Sequence, residues 1–402
     1  MKKALIFLTV FSLFFTLFCC FVYADGNTVD IGLFYGNSAK SSVTITYSGT
    51  TVTVNAEDIA DTAEYGSDGV AAVNGKEYRG SIILKKDSAG LLTVINRVDM
   101  EDYIASVISV EMSPSFNIEA LKAQAVCART YAMKNMRKHS SYGFDLCSST
   151  DCQVYGGISS ESETTNRAAA ETAGIYMTYN GQVIDAVYSA TSGGWTEDVK
   201  NVWGSDIPYL AAVEDPYESK DVYGSSWTKE ISADEATNIM DRKGYNLGTV
   251  TDISVIENTE RGVVTKLKVT GTNGEKIFTI EGCRLAFGSV TLSQAFSVTP
   301  IYPVDTAENL IYVYDGSAVS GKVSVLSSEG VSEISLDGVT LKGEQTREYT
   351  VSYAGDATSF VFEGRGFGHL VGMSQNGANG MAGAGFTYEE ILKHYYKGIE
   401  LN

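Results

Sequence analysis

Over the first hundred positions, apolar and polar residues alternate in short runs. Residues 28–34, 43–47, 50–54, 80–85 and 91–98 are rich in Val, Ile and Thr and bounded by Gly, Asn, Asp or Ser, so the pattern predicts strands. The period then becomes helical. A first helix is predicted from Asp99 to about Met112. A second is predicted to open at Ser113-Pro114, proline suiting the first helical position, with Ile118, Leu121, Ala125, Ala128 and Ala132 at helical spacing. A third, over 164–173, stops at Gly174. Asn180-Gly181, between apolar runs at 175–179 and 183–190, predicts a hairpin. Strands return from Ser225 to Tyr353, with one short helix near 233–241. Thr387 and Glu390 make a capping box for a last helix over 387–396. Segregated strands and helices predict an α+β fold, with helices and antiparallel strands mixed and no regular repeat.

The first helix carries one residue out of keeping with its face. Tyr103, Ile104, Val107 and Ile108 form its apolar stripe, and Glu111 falls on that stripe, whereas Glu101, Asp102, Ser106 and Ser109 fall off it and read as a solvated face. A carboxyl in partly apolar surroundings keeps its proton to higher pH and can act as a general acid. Equally, such a glutamate can pair with a cation or cap the next helix. Lys122 and Arg129 lie seven apart on one face of the second helix, read as its non-core side. They can hold the acetamido and hydroxyl groups of a sugar, pair with Glu111, or be solvated helix charges.

Charge and leader narrow the setting. Lys2 and Lys3 precede an uncharged stretch from Ala4 to Ala24, which ends on a small residue suited to signal peptidase. The stretch also approaches the roughly 20 apolar residues of a membrane span. Residues 1–24 are therefore expected to be a signal peptide or an N-terminal anchor, and the chain is expected outside the cytoplasm on both readings. The net charge of −19 excludes a nucleic-acid binder, which needs clustered Lys and Arg, and favours a neutral polymer such as a polysaccharide.

Five blocks carry a resemblance. They are Val107-Ile-Ser-Val-Glu-Met-Ser-Pro through Glu119-Ala-Leu-Lys-Ala-Gln-Ala-Val-Cys-Ala-Arg-Thr-Tyr131, Asp145-Leu-Cys-Ser-Ser-Thr-Asp-Cys-Gln-Val-Tyr-Gly156, Ala190-Thr-Ser-Gly-Gly-Trp-Thr196, Val202-Trp-Gly with Pro208-Tyr-Leu, and Gly364-Arg-Gly-Phe-Gly-His with Val371-Gly-Met-Ser-Gln. In content and order they resemble the stage II sporulation protein D / LytB family of lytic transglycosylases. The resemblance implies cleavage of the β-1,4 link between N-acetylmuramic acid and N-acetylglucosamine in stem-free peptidoglycan strands, with a 1,6-anhydro product. It places the family's catalytic acid on Glu111 and its further functional residues on Lys122 and Arg129. A usual glycosidase needs two carboxylates, whereas a lytic transglycosylase needs one, acting as acid and then as base.

Ser192-Gly193-Gly194 suits a close backbone approach to a sugar, with Trp195 and Trp203 as stacking platforms. A plain turn beside two core tryptophans is the alternative. The last block reads as a groove wall with His369, Ser374 and Gln375 as polar contacts, His369 also fitting a packing role. A catalytic region over 25–298, completed by 354–402, is expected to form a glycan-binding groove, with a strand-rich insertion at 299–353. Glycan strands are the expected partners, with a wall amidase and membrane proteins beside them. An alternative within the family is a non-catalytic module that binds glycan for an amidase.

Cys147 and Cys152 are spaced for a disulfide or for half a zinc site. Some members of the family carry zinc on these cysteines and two histidines. Here Asp151 precedes the second cysteine and His139 is the nearby histidine. An exported chain favours a disulfide, so a disulfide leads, zinc is second and free thiols third, and no cofactor is required for the reaction. Cys127 and Cys283 read as buried small apolar side chains.

Overall fold

The computed structural model describes residues 28–66, 69–302, 322–327, 330–335 and 356–402. The leader at 1–24 lies outside the described residues, as does most of the 299–353 segment. Within that segment Lys322–Ser327 and Gly330–Ser335 pair as an antiparallel hairpin. Among the described residues no helix is long and apolar enough to cross a membrane.

The architecture is α+β. The chain divides into two compact units, one up to Ser106 with Met136–Ser160 added, the other Val107–Asn135 with everything from Glu161 onward.

The first unit is built on β1 (Thr28–Phe34), β2 (Ser42–Tyr47), β3 (Thr50–Asn55), β4 (Thr62–Tyr65), β5 (Val70–Val73), β6 (Lys76–Arg79), β7 (Ser81–Lys86), β8 (Leu92–Asp99) and β9 (Leu146–Cys147). One sheet has the order β4-β7-β8-β1-β9, antiparallel except for the parallel β1–β9 pair, and the other has the order β3-β2-β5-β6. Alternation decides which face is buried: Val29 and Ile31 of β1 and Leu92 and Val94 of β8 are sealed from solvent. Strands β4 and β6 escape the sequence pattern because Glu64, Lys76 and Glu77 interrupt it, all of them solvent-facing, and β5 is only four residues long.

Helices α1 (Met100–Glu111), α2 (Ile118–Asn135), α3 (Glu163–Glu171), α4 (Val199–Trp203), α5 (Ala233–Arg242), α6 (Glu281–Leu285), α7 (Gln375–Gly383) and α8 (Tyr388–Tyr395) follow. In the second unit α2 packs against α3, α7 and α8. Its alanines at 120, 123, 125, 128 and 132 let those neighbours approach closely. Strand Ser359–Arg365 lies between Ser226–Ser232 and Phe296–Ile301. These strands share a core of Trp227, Phe360 and Phe362 with Ile253, Leu267 and Met240.

Three local expectations are corrected. Helix α2 opens at Ile118 rather than Ser113, because the amides of Ala120 and Leu121 bond back to the Asn117 carbonyl. Asn117 itself is tied through its side chain to Asn379. Ser106 is buried rather than solvated and donates to the carbonyl of Gly157 at 3.1 Å. Arg129, read as lying on a non-core face, is only 2% exposed, since α2 is covered from several sides. Asn180 and Gly181 form the expected hairpin turn, with φ of 51° and 73°.

Candidate functional site

Glu111 is the last residue of α1, one turn beyond the sealed side chains of Val107 and Ile108, and is half-buried. Its Oε2 accepts from Nε2 of Gln375 at 3.4 Å, and the same nitrogen faces Oε1 of buried Gln124 at 3.5 Å. Gln375 opens α7, and Ser374 before it is the N-cap, its hydroxyl accepting from the Gly377 amide. The pair Tyr188–Ser189 runs parallel to Met373–Ser374 and fixes where that helix begins.

Around Ser374 the structure gathers the Ser192-Gly193-Gly194 turn and two carboxylates that the sequence did not single out. Glu218 accepts from the amides of Ser192 and Gly193 at 2.7 and 2.8 Å, and from the Ser374 hydroxyl at 2.7 Å. The Ser192 hydroxyl donates to Asp215 at 2.8 Å and accepts from the Gly194 amide at 3.1 Å. From the other side Arg365 donates to the carbonyls of Ser192 and Trp195 at 2.6 and 3.0 Å. The turn is thus held by its amides on an anion and by its carbonyls on a cation. Gly193 has φ of 68°, and a Cβ there would fall 2.7 Å from both Arg365 Cβ and the Gly366 nitrogen, so no larger residue fits. Burial raises the Asp215 carboxyl to about 6, and the Glu218 charge adds to the rise. Below the turn, wholly buried Glu197 pairs with Arg261 at 2.5 Å.

Aromatic faces lie open beside this turn. Trp195 is 39% exposed, and Phe367, bridged to Thr191, meets Tyr223 edge-on at 5.6 Å. Half-buried carboxyl, backbone turn and open rings make a surface suited to a neutral sugar.

The remaining sequence candidates make contacts of their own. Lys122 pairs with Glu119 and Glu171, at 2.9 and 2.7 Å, and not with Glu111. Arg129 donates to the carbonyls of Ile175 and Ala169, tying α2 to α3 and to the segment after it. His369 accepts from the Val371 amide on Nδ1 and packs on Trp203 with ring centroids 5.0 Å apart. Burial lowers its pKa to about 4, so the ring is neutral at pH 7. Trp203 is anchored through Nε1 to Glu281. Burial raises the thiols of Cys127 and Cys283 to about 12, in keeping with packing roles.

Cys147 and Cys152 are free thiols in the structure, in place of the disulfide that the sequence favoured. With His139 and Asp151 they form one group whose donor atoms lie within 4.8 Å of one another. Individual edges are 3.4 Å from Cys152 Sγ to His139 Nε2, 3.1 Å from His139 Nε2 to Asp151, and 3.9 Å from Cys147 Sγ to Asp151. Zinc bonds of about 2.0–2.3 Å in a tetrahedron give edges of roughly 3.3–3.8 Å, so these residues fit such an ion, with Asp151 as the fourth donor.

Asp215, Glu218, Arg365, Gln124 and Glu197 were not legible as site residues. Three lie in loops without periodicity, and Gln124 lies on a helix whose alanines dominate the pattern. Arg365 sits inside a quoted block, where its flanking glycines were the available signal.

Comparison with known proteins agrees with the blocks. Residues 88–179 match the family described as SpoIID, stage II sporulation protein. The chain is 31% identical over 397 residues to the amidase enhancer of Bacillus subtilis (strain 168), covering 95% of this chain and 51% of that protein. It therefore spans about half the length of that relative. It is 27% identical over 330 residues to stage II sporulation protein D of the same organism, covering 77% of this chain and 76% of that one. An uncharacterized protein of Brachyspira hyodysenteriae is 29% identical over 330 residues, at 82% and 73% coverage. Residues 88–179 thus belong to the stage II sporulation protein D family, and the chain around them is similar to its members.

Proposed function

We propose that the chain is an extracytoplasmic lytic transglycosylase of peptidoglycan, acting on stem-free strands during sporulation or wall remodelling. The observation that carries the reading is Glu111 at the end of a buried stripe with Gln375 against one of its oxygens. Gln375 donates to Oε2 and so orients the carboxyl of Glu111, which in its acid form carries one proton. That proton goes to the leaving glycosidic oxygen. The carboxylate left behind keeps the Gln375 hydrogen bond and then takes the proton of the sugar's own 6-hydroxyl, whose oxygen closes the anhydro ring on C1. Atoms balance without water and without a second carboxylate. The Ser192–Gly194 turn and Trp195 would hold the sugar, the turn kept rigid by Glu218 and Arg365. His139, Cys147, Asp151 and Cys152 would hold a structural ion.

The test uses stem-free strands and mass spectrometry of the products. Wild type is expected to give anhydro-ended fragments, and Glu111→Gln to lose about 10²-fold or more in rate. Reducing-end products with water added would end the single-acid mechanism. A second reading is favoured by the name of the amidase enhancer, a relative covered over half its length. On that reading the chain binds strands for a wall amidase. Binding by both forms with cleavage by neither, and faster turnover by an added amidase, would select it.

A further inference from the structure

The first unit contains a cleft that none of the chemistry above uses. It is an open cleft of about 490 Å³ lined by Leu33, Tyr35, Gly36, Asn37, Ser38, Tyr142, Ser148 and Ser149. We propose that this cleft is a second sugar-binding site, taking a neutral N-acetylated pyranose such as a GlcNAc unit.

Three observations point to that class of ligand. The lining holds no charged residue, in a chain of net charge −19, so neither phosphate nor carboxylate finds a partner there. Its wall is aromatic and held in place. Tyr142 is 45% exposed, yet its ring meets Tyr35 edge-on at 5.1 Å and stacks on Phe144 at 6.1 Å. Phe144 is in turn buried and stacked on His139. An exposed ring fixed from behind offers a flat apolar face at little entropic cost, which is what the C–H face of a pyranose needs. The third observation is uncommitted polarity at the rim. The Asn37 amide and the Ser148 hydroxyl make no hydrogen bond to another described residue, whereas Ser38 and Ser149 are already engaged, with Tyr35 and Cys147. An amide and a hydroxyl beside an aromatic face match the acetamido and hydroxyl groups of one sugar residue.

The Ser148-Ser149 wall belongs to the loop carrying Cys147 and Cys152, so the thiol cluster fixes its position. The cleft shares no residue with the Glu111 site, and the inference does not rest on the cleavage chemistry. It gives the chain a second hold on glycan without new catalytic groups.

The test is a titration of the full chain with tetra-N-acetylchitotetraose, followed residue by residue in ¹H–¹⁵N spectra. The amides of Asn37, Tyr142 and Ser148 are expected to shift together. Tyr142→Ala is expected to weaken the binding read at these amides at least about fivefold, and Asn37→Ala about threefold, with Glu111→Gln leaving it unchanged. Asn37 is exposed and its side chain bonds to no other described residue, so its variant decides the matter if Tyr142→Ala fails to fold. Shifts confined to the region of Ser192 and Trp195, unchanged affinity in Asn37→Ala, or shifts at Tyr142 caused by a free stem peptide and not by the sugar would each overturn the proposal. A chain that cleaves no strand but shows the shifts at Asn37 and Tyr142 would lose the transglycosylase reading and keep this one.

Discussion

At the scale of single residues, the telling group is Asp215, buried against Ser192 and beside Glu218. Its carboxyl is raised from 3.8 to about 6 by burial first and by Glu218 after that. The folded state therefore binds this proton more tightly than the unfolded chain does. The stability it contributes is complete below about pH 4 and is lost as the pH rises through about 6. Asp215→Asn keeps a neutral side chain throughout. Its stability relative to wild type is expected to rise between about pH 4 and 6 and to hold level above, read from urea midpoints at each pH. A pH-independent difference would show that the carboxyl ionises alike in both states. Gly377 belongs to the same corner. A Cβ there would fall 2.1 Å from both Asp215 Oδ2 and the Tyr395 hydroxyl. Gly377→Ala is accordingly expected to cost about 1–3 kcal/mol in chemical denaturation, with α7 displaced. Strand binding should fall with it, since Gln375 opens that helix.

At the scale of elements, α2 shows what pattern reading reaches and what it misses. Ile118, Leu121 and Ala125 gave the helix its period, but Arg129 looked like a surface charge because one helix face was assumed to be open. The covering elements, α3, α7 and α8, come from residues up to about 260 positions later, and no local pattern reports them. Buried among them, Arg129 supplies donors to two carbonyls. Arg129→Met is expected to lose about 2–4 kcal/mol of stability through the acceptors it leaves unmet. Binding of strands per folded molecule should be unchanged. A loss of binding at full stability would instead give Arg129 a direct role with the sugar. Glu111 was legible for the opposite reason: its stripe is local to α1, so a carboxyl on it stood out. The Asn180-Gly181 hairpin and the Thr387 capping box were legible because turn and cap chemistry span only a few residues. Glu218 and Asp215 act on groups from distant segments, Ser374 lying 156 positions from Glu218, and that proximity exists only once the chain has folded.

At the scale of the molecule, the proposed substrate bears one lactyl carboxylate per muramic acid, against a chain of net charge −19. Like charges repel over about 10 Å at 0.1 M salt. Strand affinity is therefore expected to tighten as NaCl rises from about 50 to 300 mM, the reverse of a polycation's behaviour. Weakening over that range would mean that a local cationic contact governs binding. The route of the chain has its own consequence. It passes between the two units after Ser106, after Asn135 and after Ser160, and β9 from the returning segment pairs with β1. A fragment ending at Ser106 lacks that strand, and one beginning at Val107 carries the 136–160 segment without its sheet. Neither unit can be cloned, shuffled or lost as a contiguous stretch. All three crossings fall within residues 88–179, the part that matches the family. The interleaved route therefore makes the two units one unit of expression and of loss.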